Sequence, residues 1–140
     1  MGISSAKPCV FCHYKKEELL SENESLAILQ DINPMARHHF LCIPKVHIKD
    51  INSLTKEHVS LLENMRKFAV DYITERFKAE KTTEKDVIFG FHVPPFTSVN
   101  HLHMHCLIPP YKSYIFSLVN KHLILRSVDE VIEKLKGKGE

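Results

Sequence analysis

HLHMHCLIPP, residues His101 to Pro110, sets three histidines at every second position and closes on two prolines. Alternation at period two is the mark of a strand, whose successive side chains point to opposite faces. A strand from His101 to Ile108 puts His101, His103 and His105 on one face. Leu102, Met104 and Cys106 take the other, which must pack on a core. Neighbouring imidazoles then stand roughly 6.6–6.8 Å apart at the backbone, twice the rise of a strand. A purely structural row would need three satisfied imidazoles side by side, so the histidine face reads as functional.

Two chemistries fit such a face. A His-x-His pair on a strand can converge on zinc with ligands from elsewhere. Alternatively one imidazole is a nucleophile: it is largely neutral at pH 7, and a partner holding one ring nitrogen's proton aims the other nitrogen's lone pair outward. Its neighbours then donate hydrogen bonds to phosphate oxygens as charge develops. Periodicity alone does not separate the two.

The rest of the chain reads as one α+β domain. Ser25–Gln30 and His38–Pro44 are short apolar strands joined by DINPMA, which supplies the Asp, Asn and Pro of a turn. From Thr55 to about Glu80, Val59, Leu62, Met65, Ala69, Tyr72, Ile73 and Phe77 recur at helical spacing, with Thr55 as N-cap. Val87–Val93 is a further strand, and the histidine strand follows it. SVDEVIEKLK closes the chain as a helix, with Ser127 at the N-cap and Glu130 three residues on. The expectation is an antiparallel sheet of about five strands, one long helix and a C-terminal helix, over residues 1–140 with flexible tails at 1–8 and 137–140.

Composition narrows the function. A net charge of +2 is too small to argue for nucleic acid, and no apolar run reaches the ~20 residues that span a bilayer. Ten histidines in 140 residues are unusual, and four of them fall between 92 and 105. Cys9, Cys12, Cys42 and Cys106 are read as thiols or ligands of a cytoplasmic protein, with the nucleus as a second compartment. Cys42 and Cys106 sit within apolar strands as small core residues. His13, His38, His39, His58 and His122 are read as surface or local structural residues.

HLHMHCL resembles the His-φ-His-φ-His-φ-φ signature (φ apolar) of the histidine triad superfamily of nucleotide hydrolases and transferases. CVFC, LAILQDINPMARHHFLCIPKVHI, GFHVPPFTSVNHLHMH and SVDEVIEKL extend the likeness over nearly the whole chain. They are most similar to the branch containing aprataxin and histidine triad nucleotide-binding protein 3, without aprataxin's zinc finger. The resemblance implies the histidine triad fold and hydrolysis of adenosine 5′-monophosphoramidates, or of acyl- or amine-linked adenylates, to AMP. Dinucleoside polyphosphates and 5′-adenylated DNA are the alternative substrates, and a non-catalytic nucleotide-binding module is the alternative outside catalysis.

Residue by residue, the resemblance makes His103 the nucleophile that forms a nucleotidyl-histidine, with His105 and His101 beside it. His105 and Ser98 would contact the phosphate, and Asp31 would hold the ribose hydroxyls. Ile32, Val10, Phe11 and Leu29 would form the purine slot. No cofactor is implied for catalysis, but Cys9, Cys12, His47 and His101 form the set that holds a structural zinc in some relatives. His92 stands near where many members carry an Asn, so a phosphate contact there is open. The implied partners are a purine nucleotide and a second copy of the chain in a homodimer. Val59, Leu61, Leu62 and Phe68, spread over more than one helix face, favour that partner.

Overall fold

The computed structural model of the chain describes residues 9–32, 34, 36–80, 82–94, 99–111 and 125–137. Among the described residues, six strands and two α-helices follow one another as β1 (Leu19–Glu22), β2 (Leu26–Gln30), β3 (Ala36–Pro44), α1 (Val59–Arg76), β4 (Ile88–His92), β5 (Met104–Tyr111), β6 (Leu125–Ser127) and α2 (Val128–Gly137). The strands form one antiparallel sheet in the order β1-β2-β3-β5-β4-β6. The class is α+β as expected, with six strands among the described residues where about five were anticipated. None of the described helices is long and apolar enough to cross a membrane.

The central strands are apolar on both faces because the two faces have different neighbours. Leu26 and Ile28 of β2, Phe40 and Cys42 of β3, and Met104 and Cys106 of β5 point to the helical side. There they meet Leu62, Met65, Ala69 and Ile73 of α1 and Val128, Val131, Ile132 and Leu135 of α2, all buried. Spacings of three and four residues line these up as one stripe per helix. Ala27, Leu29, Leu41 and Ile43 point the other way and carry Phe11, Tyr14 and Leu19. Among the described residues no helix packs on that second face, and it becomes the floor of the site.

The long helix differs from its expected span at both ends. Thr55 opens a 3-10 turn over Lys56–His58, and α1 proper begins at Val59. The Thr55 backbone N–H donates to His58 Nδ1 at 2.9 Å, so the imidazole takes a capping role and His58 is a local structural residue. A second 3-10 turn at Lys78–Glu80 follows α1. At α2, Ser127 Oγ accepts the Glu130 N–H at 3.1 Å, the N-cap bond anticipated for that pair. Gly137, expected in a tail, is the last residue of α2.

β5 starts at Met104 rather than His101. Pairing with β3 ends at Cys42–Met104, and β3 itself stops at Pro44. Upstream the chain finds another partner: the Leu102 N–H donates to Ile48 O at 2.6 Å. The extended alternation nevertheless persists, since Leu102 joins Met104 and Cys106 in the core. The histidines are thereby turned to the face opposite α1 and α2.

Candidate active site

The tautomers of the histidine row follow from its partners, because a carbonyl oxygen can only accept. His103 Nδ1 lies 2.6 Å from the His101 carbonyl oxygen, so Nδ1–H donates and the Nε2 lone pair is free for other work. His101 Nε2 lies 2.8 Å from the Pro44 carbonyl, so in His101 the lone pair is on Nδ1. His105 Nδ1 lies 2.9 Å from His39 Nε2, which is also 3.3 Å from Asp31 Oδ2. A carboxylate favours a proton on His39 Nε2, and that proton is shared with His105 Nδ1. His105 therefore carries its own proton on Nε2. This atom is buried and has no hydrogen-bond partner among the described residues. A buried donor without a partner is costly unless a ligand or water completes it.

Burial holds these rings neutral. Desolvation pushes His103 below the ordinary imidazole range, and the His101 carbonyl offsets part of this. His105 is pushed well below by burial, then by His92, His103 and His39 around it. Burial likewise lowers His39 and His101, against the pull of Asp31 on the first and the Pro44 carbonyl on the second. The row thus offers one aimed lone pair on His103 and one aimed N–H on His105. That is the equipment for nucleophilic attack on an anion-bearing centre.

His39 was not anticipated here. The sequence pattern marks it as a surface or local residue, yet only 2% of it is exposed and it bridges Asp31 to His105. The signal lies in the hairpin register. Gln30 pairs with Phe40, which places Asp31 and His39 opposite one another one step on. His38, its neighbour, points to the helical side and packs on Phe77 at 4.2 Å. His13 is exposed, and His122 lies outside the described residues.

Val10, Phe11, Leu29, Asp31, Ile32, His103 and His105 line one cleft of about 490 Å³. Leu29 and Leu41 form its floor, and Phe11 stands at its side with its edge on the His103 ring at 5.1 Å. Ile32 is 76% exposed and Val10 58%, which leaves apolar surface turned to the opening. His92 stacks on His105 with centroids 4.2 Å apart, which places it beside the row. Ser98 lies outside the described residues.

Behind the row, Cys9, Cys12, His47 and His101 each direct one donor atom to a common centre, all within 4.8 Å of one another. His101 Nδ1 is 3.3 Å from Cys9 Sγ, 3.5 Å from Cys12 Sγ and 3.2 Å from His47 Nδ1. Cys12 Sγ is 3.2 Å from His47 Nδ1. A tetrahedral zinc with bonds of about 2.3 Å to sulfur and about 2.0–2.1 Å to nitrogen has edges of roughly 3.3 Å between nitrogens and roughly 3.5 Å between nitrogen and sulfur. These four edges fit that geometry, and the His101 lone pair is already turned toward the centre. Asp31, His39 and His105 also cluster, but the 2.9 Å contact between His39 and His105 is a direct hydrogen bond.

Comparison with known proteins places this geometry in a family. The family model described as "Scavenger mRNA decapping enzyme C-term binding" matches residues 8–118. The chain is 35% identical over 137 residues to adenosine 5′-monophosphoramidase HINT3 of Xenopus tropicalis, covering 91% of this chain and 87% of that protein. It is 39% identical over 141 residues to HINT3 of Mus musculus, covering 91% and 81%. A crystal structure of a HIT family hydrolase from Legionella pneumophila superposes with a TM-score of 0.65 at 27% identity, over 76% of this chain and 97% of that one. On these likenesses the chain belongs to the histidine triad superfamily, in the branch that holds histidine triad nucleotide-binding protein 3 and aprataxin.

Proposed function

We propose that the protein hydrolyses adenosine 5′-monophosphoramidates and related acyl- or amine-linked adenylates, releasing AMP through a nucleotidyl-histidine on His103. The observation that carries this reading is the 2.6 Å bond from His103 Nδ1–H to the His101 carbonyl, which leaves Nε2 as a nucleophile at the cleft. In the first step Nε2 forms a bond to the α-phosphorus, the phosphorus–amine bond breaks, and the amine takes up a proton from solvent as it leaves. In the second, water attacks phosphorus and gives up a proton to solvent, the bond to His103 breaks with Nε2 recovering its lone pair, and AMP is released. Division into two steps replaces one hard displacement by two easier ones.

The other roles follow from position. His105 Nε2–H donates to a phosphate oxygen, with His39 holding its tautomer. His92, stacked on His105, faces the same phosphate. Asp31 accepts the ribose hydroxyls, and Phe11, Leu29, Val10 and Ile32 enclose the purine. Cys9, Cys12, His47 and His101 hold a structural zinc, which when bound supplies no chemistry beyond cross-linking these segments, since all four positions are taken by protein. The protein is further read as a homodimer, for which the half-buried Leu61, Phe68 and Tyr72 of α1 offer apolar surface. Light scattering on a size-exclusion column gives the mass directly.

A substrate panel tests the function. Wild type and His103→Ala are compared on an AMP–amine, a dinucleoside polyphosphate and a 5′-adenylated DNA. The expected result is fastest turnover of the AMP–amine by wild type, none by the variant, and an adenylyl adduct on His103 by mass spectrometry after acid-free quenching. Equal turnover by the variant overturns the reading, and preference for one of the other substrates reassigns it within the superfamily.

A further inference from the structure

The four-donor centre and the nucleotide cleft share residues in a way that a merely structural metal would not require. Val10 and Phe11 are the two residues between Cys9 and Cys12, and both line the cleft. The Cys9 carbonyl accepts the N–H groups of Cys12 and His13, each at 3.2 Å, so the segment is one tight turn with its thiols on one side. Phe11 projects from that turn onto the His101 and His103 rings, at 6.0 and 5.1 Å. His101 belongs to both systems: its Nδ1 faces the thiols while its carbonyl holds the His103 proton.

We propose that the Cys9–Cys12–His47–His101 centre is a clasp on the nucleotide cleft: a divalent metal bound there holds Phe11 against His103 and thereby sets nucleotide affinity. The inference rests on the nucleotide reading of the cleft. Phe11 is a positioning residue for the base and for the His103 ring, and its placement is delegated to the two flanking thiols. Without metal, the described contacts that fix the turn are the packing of Phe11 and Tyr14 on the sheet, the Tyr14–Glu22 hydrogen bond and the weak thiol–imidazole contacts of Cys9 and Cys12. Apparent affinity scales with the fraction of molecules in which the wall is in place. A wall in place one-tenth of the time weakens binding roughly tenfold.

The test uses AMP as the probe and the full chain. Calorimetry measures AMP binding to zinc-loaded, chelator-stripped and re-zincated wild type, and to Phe11→Ala and Phe11→Leu in the loaded and stripped states. Hydrogen exchange over residues 9–13 is followed in parallel. Stripping is expected to weaken AMP binding roughly tenfold and to expose residues 9–13, with both effects reversed by zinc. Phe11→Ala is expected to bind AMP weakly in both states, with the metal response lost, and Phe11→Leu to keep part of it. Equal affinity with and without metal overturns the clasp and leaves the nucleotide reading standing, as does a full metal response in Phe11→Ala. Metal-dependent protection of residues 9–13 with no AMP binding removes the nucleotide reading instead. Loss of the far-ultraviolet dichroism on stripping also overturns the clasp, because the effect it describes is local.

Discussion

His39 Nε2 and His105 Nδ1 lie 2.9 Å apart across β3 and β5, and the same His39 nitrogen is 3.3 Å from the Asp31 carboxylate. This bond keeps the His105 proton on Nε2, the atom proposed to donate a hydrogen bond to phosphate. Replacing His39 by Ala removes the only group that assigns that tautomer in the described structure. The expected loss in kcat is on the order of 10²-fold, similar to removing one donor to a developing oxyanion. His39→Gln can still offer an N–H to His105 Nδ1 and is expected to recover part of the loss. Steady-state kinetics on an AMP–amine decide it, and unchanged kcat in His39→Ala contradicts the tautomer-holding role of His39.

His103→Ala removes the proposed nucleophile. Turnover is expected to fall by at least about 10⁴-fold, as nucleophile deletions do. AMP affinity is expected to stay within a few-fold, because Asp31, Leu29 and Phe11 are untouched. Single-turnover assays and calorimetry on the same preparation check both halves.

Stability should fall on the acid side. His39 and His105 are buried, face Asp31, His92 and His103, and are held below the ordinary value of 6.5 chiefly by desolvation. Above pH 6.5 both the folded and unfolded chains keep these rings neutral, so they contribute no slope. As pH drops through 6.5 the unfolded chain binds protons that the folded chain does not. The folded state then loses up to about 1.4 kcal/mol per pH unit for each group until its own pKa is reached. Urea unfolding at pH 8.5, 7.5, 6.5 and 5.5, with chelator in every sample, should show a plateau followed by a decline. A rise toward pH 5.5 contradicts the assignment.

Gly90 sits on β4 opposite both His105 of β5 and Ser127 of β6. A Cβ there would lie 2.9 Å from the Arg126 carbonyl oxygen and 3.0 Å from Leu125 Cγ. The backbone oxygen cannot swing aside, so Gly90→Ala must push β6 outward. A loss of about 1–3 kcal/mol is expected, in the range of overpacked sites. Chemical denaturation measures it.

Much of this was legible from residue order, and the exceptions have physical causes. The period-two alternation around His103 showed which side chains share a face, because a buried face fixes register. It could not show that regular pairing begins only at Met104, since that depends on where β3 ends. β1 was missed because LLSE is short, half-exposed and interrupted by a bulge between Leu19 and Ser21. β6 has three residues and merges into the α2 cap at Ser127. His39 was hidden by its neighbour: in ARHHF nothing local distinguishes the imidazole that faces Phe77 from the one that faces Asp31. Cys42 and Cys106 are buried core thiols as expected, with burial pushing Cys42 up to about 12.

The pairing of Asp31 with His39 at the mouth of one hairpin has a consequence for how the cleft discriminates. If the same carboxylate takes the sugar hydroxyls and steadies the imidazole behind the phosphate donor, the sugar is checked by the apparatus that acts on phosphorus. A nucleotide without its 2′ and 3′ hydroxyls then leaves Asp31 with surplus acceptor capacity next to His39, and the loss reaches the rate as well as the affinity. Fidelity toward the sugar becomes a property of turnover, visible as a lower kcat at saturating dideoxy substrate.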